Sequence, residues 1–440
     1  MSAARPWRAF GGPAIVGASR AVAIAGVVVL VGMLPWMSGR SPEYTVLRAR
    51  YADLEATPEA LAAVRAELGL DRGPWALFAD WLGGLAGGDP GRSWINNKPV
   101  LPGMVDALGV SLTLMGFAIT VALVVALLIA APAVRAGLRG TPTRGSGIAA
   151  VALTALPEFL LASVLLVVGA VWLGLFPPYG WNGPYYAVLP ALALGLPAGG
   201  LIGRLMTDAI TATFAESWIT TWRLADFGDS RIAFAVVRRS LPSVLGQIGL
   251  ALIGLTGGAV AVEEVFAIPG LGRATLGAAA SQDIPALQIG ILLLLMLAVA
   301  TGLVVAALRW VLLGPALRLG SLPMPAPEVR RKRRDLIVPV VAGAILVLVI
   351  VTGLFRDPYA TAGARLAPPG LELPFGADAL GRDLLARVGH GAVTTLGTAG
   401  FVVLVCLAIG LALGCFPRAV TGPLEVTNAA PPIIAGLIVA

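Results

Sequence analysis

Nine stretches of this chain are apolar over lengths near the roughly 20 residues that a helix needs to cross a bilayer. They lie at about 21–38, 106–134, 147–175, 187–206, 243–264, 286–313, 336–355, 393–416 and 429–440. Lipid offers no partner to a backbone N–H or C=O, so such segments fold as helices that satisfy their own hydrogen bonds. The sequence therefore predicts an all-α, polytopic membrane helix bundle with about nine transmembrane helices. Charged residues make up 12% and hydrophobic ones 58%, against roughly 25% charged in a soluble domain. The 55 glycines and 33 prolines would weaken soluble helices but are ordinary in membrane bundles.

Charge sets the orientation. With a cytoplasmic N-terminus, 19 of the 31 lysines and arginines fall in cytoplasmic segments, and the two short outer loops hold only Arg273 between them. That assignment satisfies the positive-inside rule. It also accounts for the net charge of +7 without nucleic acid, for which no motif is present. The lysines are Lys98 and Lys332. Neither sits in a G-x-x-x-x-G-K-[ST] context, so no ATPase site is expected in this chain. Cys406 and Cys415 are nine residues apart, on opposite faces of one helix, and do not pair. His390 is the single histidine, which excludes a Cys₂His₂-type metal site by count. The apolar run after Arg20 reads as a first span rather than a signal peptide, because many spans follow.

The outer segment 39–105 is long enough for structure of its own. Thr57-Pro58-Glu59-Ala60 reads as an N-cap with proline at the first helical position, opening a helix through Leu61, Val64 and Leu68 that ends near Gly69. A second helix is expected over Asp71 to Leu85, with Trp75, Phe78, Trp81 and Leu82 on an apolar face. That face suits the membrane surface, and a soluble cap helix fits it equally. Pro323, Pro325, Pro327 and the basic run Arg330 to Arg334 mark residues 319–335 as a linker. It divides a first module, 1–318, from a second, 336–440. Both open with a span, an outer loop and a span, as a parallel repeat would.

Four places carry polar chemistry. Val262-Glu263-Glu264-Val265-Phe266-Ala267-Ile268-Pro269-Gly270-Leu271-Gly272-Arg273 sets carboxylates at the end of a span, where they are costly and usually functional. Its proline and glycines forbid simple helix continuation. Irregular backbone at that depth is tolerated only under cover of protein or a water-filled cavity. Glu158, after Pro157, lies inside the third span at a cost of roughly 2.5–3.5 kcal/mol. It faces a pathway or reaches water near the cytoplasmic end. The longest cytoplasmic loop between spans, 207–242, is rich in charge. In the second module, Phe375-Gly376-Ala377-Asp378-Ala379-Leu380-Gly381-Arg382-Asp383 places Asp378 and Arg382 four apart, which permits an intrahelical ion pair ordering the loop before the eighth span. His390 is then a loop residue near the membrane surface.

These motifs carry a resemblance. The 262–273 segment resembles the V-E-x-V-F-x-x-P-G-L-G motif of the first membrane subunit of dipeptide, oligopeptide and nickel ABC importers. The outer segment from Thr57 resembles the same subunit. Arg356-Asp357-Pro358-Tyr359, Leu366-Ala367-Pro368-Pro369 and the 375–383 segment resemble the second membrane subunit, with its F-G-T-D-x-x-G-R-D motif. The resemblance implies a type I ABC importer permease, with a first membrane subunit fused to the start of a second. Because the second part stops at Ala440, it implies either a fragment of a longer fused permease or another permease chain that supplies the rest.

It further implies an ATPase-coupling loop carrying Trp222, Arg223, Asp226, Gly228, Asp229, Arg231, Leu241 and Pro242, with a short docking helix centred near Trp222 to Asp229. The family's letters are largely replaced there by Thr221-Trp222-Arg223-Leu224-Ala225-Asp226. An outer gate would hold Glu263, Glu264, Phe266, Pro269, Gly270 and Gly272. A second-module motif would hold Phe375, Gly376, Asp378, Gly381, Arg382 and Asp383. The implied function is uptake of peptides, with nickel or another small solute as the alternative. ATP and Mg would bind partner ABC ATPase subunits, leaving no cofactor in this chain. An extracytoplasmic solute-binding protein would deliver the substrate. The implied location is the cell (inner) membrane, multi-pass, with the lipid bilayer and no nucleic acid as surroundings. A secondary transporter or channel is the rival class, but it needs paired carboxylates within spans, and Glu158 stands alone. A membrane enzyme lacks any nucleophile–base pair.

Overall fold

A computed structural model describes residues 18–19, 21–22, 25–37, 42–51, 53–141, 147–313, 337–361 and 363–414. They form two units, one of the described residues up to 313 and one of those from 337 to 414. No strand occurs among the described residues; two isolated bridges do, Arg92 with Pro99 and Ala377 with Asp383. The expected linker 319–335 and the expected ninth span, 429–440, lie outside the described residues.

The first unit begins with helical residues 25–32 and Leu34–Met37. A cap of three helices follows: α1 (Pro42–Arg50), α2 (Pro58–Glu67) and α3 (Pro74–Ala86). The Thr57 side chain accepts the Ala60 N–H at 3.2 Å, and Gly69 takes φ +71 just past the end of α2, as the sequence predicts. On α3, Leu77, Trp81 and Leu85 pack inward, whereas Trp75 and Leu82 are exposed. The expected common face of Trp75 and Trp81 is therefore split.

The bundle consists of α4 (Val100–Leu138), α5 (Gly147–Ala155), α6 (Glu158–Leu165), α7 (Val188–Phe214), α8 (Ser217–Leu224), α9 (Asp229–Val265), α10 (Leu271–Ala280) and α11 (Ile284–Leu313). α4, about 58 Å long at 1.5 Å per residue, threads three stacked apolar clusters. Its Met104 and Ala107 meet the cap and α10–α11. Leu114, Ala118 and Ala122 meet α6, α7 and α9. Ala126, Ala130 and Ala133 meet the far end of α7, α8 and the start of α9. The closest seam is α4 on α7. A side chain at Gly195 or Gly199 would strike Val121 or Val125 and the carbonyl of Ala118 or Ala122, at 2.6–2.7 Å. Glycine at this four-residue spacing brings two backbones into direct contact.

Six of the expected spans have counterparts. Four helices are long and apolar enough to cross a membrane: Val100–Leu138, Pro184–Phe214, Ile284–Leu308 and Leu384–Ala412. Two bent pairs raise the number to six if each is one span: Ala149–Ala155 with Glu158–Trp172, bent by 96°, and Asp229–Gly249 with Gly254–Val265, bent by 52°. The first expected span is described only in part, and the seventh corresponds to the shorter apolar helix Val340–Leu354. The break in the third span falls at Pro157, which cannot donate a backbone hydrogen bond.

The second unit is a helix pair, α12 (Ile337–Leu354) and α13 (Leu384–Gly414), with a loop between. They cross at Gly353 and Gly389, where a Cβ on either would approach the other's Cα at 2.8–2.9 Å. His390 lies on α13 rather than in the loop, its Nδ1 3.0 Å from the Ala386 carbonyl.

Asp283, buried in the turn between α10 and α11, fastens the cap to the bundle: it accepts from the Ser93 hydroxyl and, at 2.9 Å, from the Trp94 N–H. Asp283→Ala strands both donors. It should lower thermal stability by about 1–3 kcal/mol and speed proteolysis within residues 53–99. An unchanged melting temperature and digestion pattern would rule out this fastening.

Candidate functional site

The polar centre of the first unit is Glu263. It occupies the last turn of α9 and is 1% exposed. A carboxylate removed from water is costly unless its oxygens are hydrogen-bonded. Here the Ser111 hydroxyl of α4 donates to Oε1 at 2.5 Å, and the Arg273 N–H donates to Oε2 at 3.0 Å. The Gly272 N–H is also directed at the carboxylate. Ser111 in turn accepts the Leu271 N–H at 2.8 Å. The donors of Leu271, Gly272 and Arg273 are the free N–H groups at the start of α10, where negative charge is favoured. One carboxylate thus joins α4, α9 and α10.

The glycines make this approach possible. A Cβ at Gly270 would collide with the Glu263 carboxyl group, and one at Gly272 would lie 2.9 Å from its Oε2 and 2.8 Å from the Val260 Cα. Neither has a positive φ; the left-handed residue of the turn is Ala267, at φ +51. Space, not backbone freedom, is what these glycines supply. The Phe266 side chain is buried, its carbonyl accepts the Gly180 N–H at 2.9 Å, and the Ile268 N–H returns to the Glu263 carbonyl at 2.8 Å. Pro269 and Glu264 are exposed; Glu264 pairs with Arg273 at 3.4 Å. Beside this turn lies an open cleft of about 850 Å³, lined by Asp106, Val110, Glu264, Pro269, Arg273 and Leu276 among others. All six residues expected at the outer gate therefore lie in one turn beside a cleft. Ser111 and Asp106 went unread in the sequence, because a single polar residue in the outer turns of an apolar run has no pattern around it.

The opposite end of α9 carries the other expected site. The loop expected over 207–242 is shorter, because α7 runs to Phe214 and α9 begins at Asp229. The expected helix near Trp222 to Asp229 lies earlier, as α8 over Ser217–Leu224. Asp226, at φ +56, forms the turn, and Gly228 is the N-cap of α9. The reason is local: Asp and Asn tolerate the left-handed region, so the turn settles on Asp226. Leu241 and Pro242 lie inside α9, not at its start.

Aromatic packing sets the hairpin's angle. Trp222 meets Trp218 edge-on at 5.1 Å and stacks on Phe227 at 4.8 Å, and Arg231 lies over the Phe227 ring. Arg223 donates to the Gly137 and Leu138 carbonyls at the end of α4, and Arg239 pairs with Glu216 at 2.7 Å. Ile219 is buried and Leu241 packs on the same cluster, while Leu224 is 84% exposed. Trp222, Arg223, Asp226, Gly228, Asp229 and Arg231 are thus one hairpin, with its apolar side against α4 and α7 and its tip free.

In the second unit, Asp378 and Arg382 do pair, at 2.8 Å, but in a turn closed by the Ala377–Asp383 bridge rather than in a helix. Gly376 and Gly381 both take φ +78, which breaks any helix there. Asp378 also accepts the Leu380 and Arg382 N–H groups and the Arg387 guanidinium. Asp383 accepts the Leu385 N–H at the start of α13 and pairs with Arg356 at 2.5 Å. Phe375 is exposed. The Arg382 N–H, with the Leu380 N–H and the Arg382 guanidinium, holds the Asp378 carboxyl well below the usual carboxylate range. Among the described residues no group of three or more His, Cys, Asp or Glu could hold a metal ion.

A family model described as the inner membrane component of binding-protein-dependent transport systems matches residues 122–319. A putative peptide transport system permease protein of Brucella abortus is 32% identical over 265 residues, which is 57% of this chain and 82% of that protein. The metal-staphylopine import system permease protein of Staphylococcus aureus is 25% identical over 290 residues, 66% of this chain and 92% of that protein. The glutathione transport system permease protein of Escherichia coli K12 is 28% identical over 270 residues, 60% and 86%.

Two outcomes are expected. Glu263→Ala leaves the Ser111 hydroxyl and the first N–H groups of α10 without their acceptor. It should destabilise the first unit by about 3 kcal/mol, two or three unpaired groups at 1–3 kcal/mol each, and Glu263→Gln by less. Equal melting temperatures for the alanine and glutamine variants would contradict this. Asp378 gives a pH dependence. Its native pKa is depressed, so its contribution is complete above the unfolded value of about 3.9 and is lost as pH falls through the native one. The Leu380 and Arg382 amide chemical shifts should therefore stay flat from pH 7 to about 4 and move only below. A midpoint at the ordinary aspartate value would contradict the geometry.

Proposed function

We propose a function from one premise: the chain belongs to the family of inner membrane components of binding-protein-dependent transport systems, the permeases of ABC importers. It is a multi-pass membrane protein of that class. The substrate we assign is a small peptide, in keeping with the peptide and glutathione permeases that it resembles. The metal-staphylopine relative makes a metal chelate the second reading.

The observation that carries the mechanism is α9, 37 residues joining the exposed hairpin of α8 to the Glu263 turn. It is continuous over about 55 Å of helix at 1.5 Å per residue, bent by 52° between its two arms, so the arm that holds the hairpin and the arm that ends in the Glu263 turn pivot on one another. On this reading α8 and the 225–228 turn dock on a partner ATPase, which binds the ATP and Mg. Closure of that ATPase swings α9, and the Glu263–Ser111–α10 latch opens or closes the outer cleft, into which an extracytoplasmic binding protein delivers substrate. Two-state movement of a packed element between two sites is how such coupling works. The N-terminus and α8 face the cytoplasm, in line with the arginine distribution. Residues 1–318 form one permease module. Residues 336–440 open a second, fused through the basic linker 319–335. The resemblance of the Phe375–Asp383 turn to the second subunit supports that fusion.

Leu224 closes α8, so a proline there removes little. Thr221→Pro breaks the helix interior, at about 3 kcal/mol locally. In the assembled importer it should abolish peptide uptake while the chain still reaches the membrane. In single-cysteine chains, Leu224→Cys should crosslink to the ATPase and resist an impermeant thiol reagent in intact cells. Glu55→Cys, in the exposed cap, should label and not crosslink. Uptake that survives Thr221→Pro, or crosslinking from the cap position, would refute the coupling role.

A further inference from the structure

Glu158 has no place in the mechanism above, and its surroundings are specific. It opens α6 at the 96° break of the third span. It lies against α9: a Cβ on Gly258 would sit 3.5 Å from both its carboxyl carbon and its Cγ, and equally close to Leu194 of α7. Leu194 is six residues from the outer end of α7, and Gly258 seven from the end of α9. At 1.5 Å per residue, Glu158 is about 10 Å below the outer end of the bundle and roughly 30 Å from the cytoplasmic end of α7. With the orientation that the arginine distribution favours, that is far from the cytoplasmic end. The side chain is half-buried, and it has no hydrogen-bond or ion-pair partner among the described residues. A lone carboxylate at this depth is not stable against lipid; it faces water or a cation.

We propose that Glu158 is a binding station in the translocation path for the ammonium group of the passing substrate. This deepens the peptide reading and rests on it. Pro157 has no N–H to offer the Leu153 carbonyl at the end of α5, so that carbonyl lacks its i+4 donor and adds a second acceptor at the break, which also carries the first N–H groups of α6. An ammonium brings three donors and one positive charge, which suit the Glu158 carboxylate and that carbonyl. One carboxylate with no fixed counter-charge holds such a group and releases it, as a conducting site must. The Gly258 contact puts the station on the face of α9 that continues through Val262 to Phe266, about 12 Å beneath the closing turn.

The test uses the assembled importer in proteoliposomes, with a free-amine dipeptide and its N-acetyl derivative as probes. Glu158→Gln should lower kcat/KM for the free-amine peptide about tenfold while lowering that of the N-acetyl peptide far less, and be rescued in part by Glu158→Asp. Glu158→Cys, with Cys406→Ser and Cys415→Ser, should react with a water-soluble charged thiol reagent. An unchanged preference between the two peptides overturns the proposal. So does a cysteine that resists the reagent, since the position would then face lipid or a packed interface. Loss of both uptakes together with dissociation of the permease subunits also overturns it, assigning Glu158 a cation of a neighbouring subunit. Failure of the parent importer to take up either peptide refutes the peptide reading itself, and the ammonium assignment with it.

Discussion

The first unit depends on the demand of one buried carboxylate for hydrogen-bond donors. Glu263 cannot be left unsatisfied away from water, and the donors that satisfy it come from a different helix and from the start of the next one. Everything unusual in the segment follows. Gly270 and Gly272 are there because a Cβ at either would occupy the carboxylate's position. Ala267 takes a left-handed conformation because the chain must reverse within a few residues to bring α10 back onto the carboxylate. The arrangement is discrete: with the carboxylate away from α10, both the helix start and Ser111 lose their partners together. A contact of this kind switches rather than creeps.

The second unit uses the same chemistry in a looser setting. Asp378 and Asp383 also accept backbone N–H groups, and both are braced by arginines. There the carboxylates order a loop between two helices, within reach of water. In the first unit the carboxylate has no water to fall back on. The difference lies in dielectric surroundings rather than in residue type, which is why one motif is read as a latch and the other as a fastening.

Much of this was legible in the sequence. Apolar run length located the four long apolar helices and the two bent pairs that the described residues display, and Thr57-Pro58 located the start of α2, since a cap and a proline act over three or four residues. The Glu263–Gly272 segment stood out because charge, proline and glycine coincide at the end of a span. What failed was anything decided by packing. Trp222 to Asp229 reads as amphipathic helix, yet Asp226 takes the turn and α8 lies earlier, where Trp218 and Ile219 reach the apolar cluster at the base of α4 and α7. The spacing of Asp378 and Arg382 suits a helix, but Gly376 and Gly381 hold positive φ and turn it into a loop. Ser111, Ser93 and Asp283 pair across more than 150 residues, and no local window contains such a partnership.

The seam between α4 and α7 has a mechanical meaning. At Gly195 and Gly199 the α7 side of the contact is bare backbone, set directly against Val121, Val125 and the carbonyls of Ala118 and Ala122. α7 brings no rotamers to the contact and the β-branched valines facing it are stiff at χ1, so the two helices answer a load as one stiff post. Compliance is left to the elements with breaks in them: the bent third span at Pro157, the bend in α9, and the turn at Ala267. The bundle is thereby sorted into a stator and its moving parts, and the dividing line is drawn by residues that have no side chain at all.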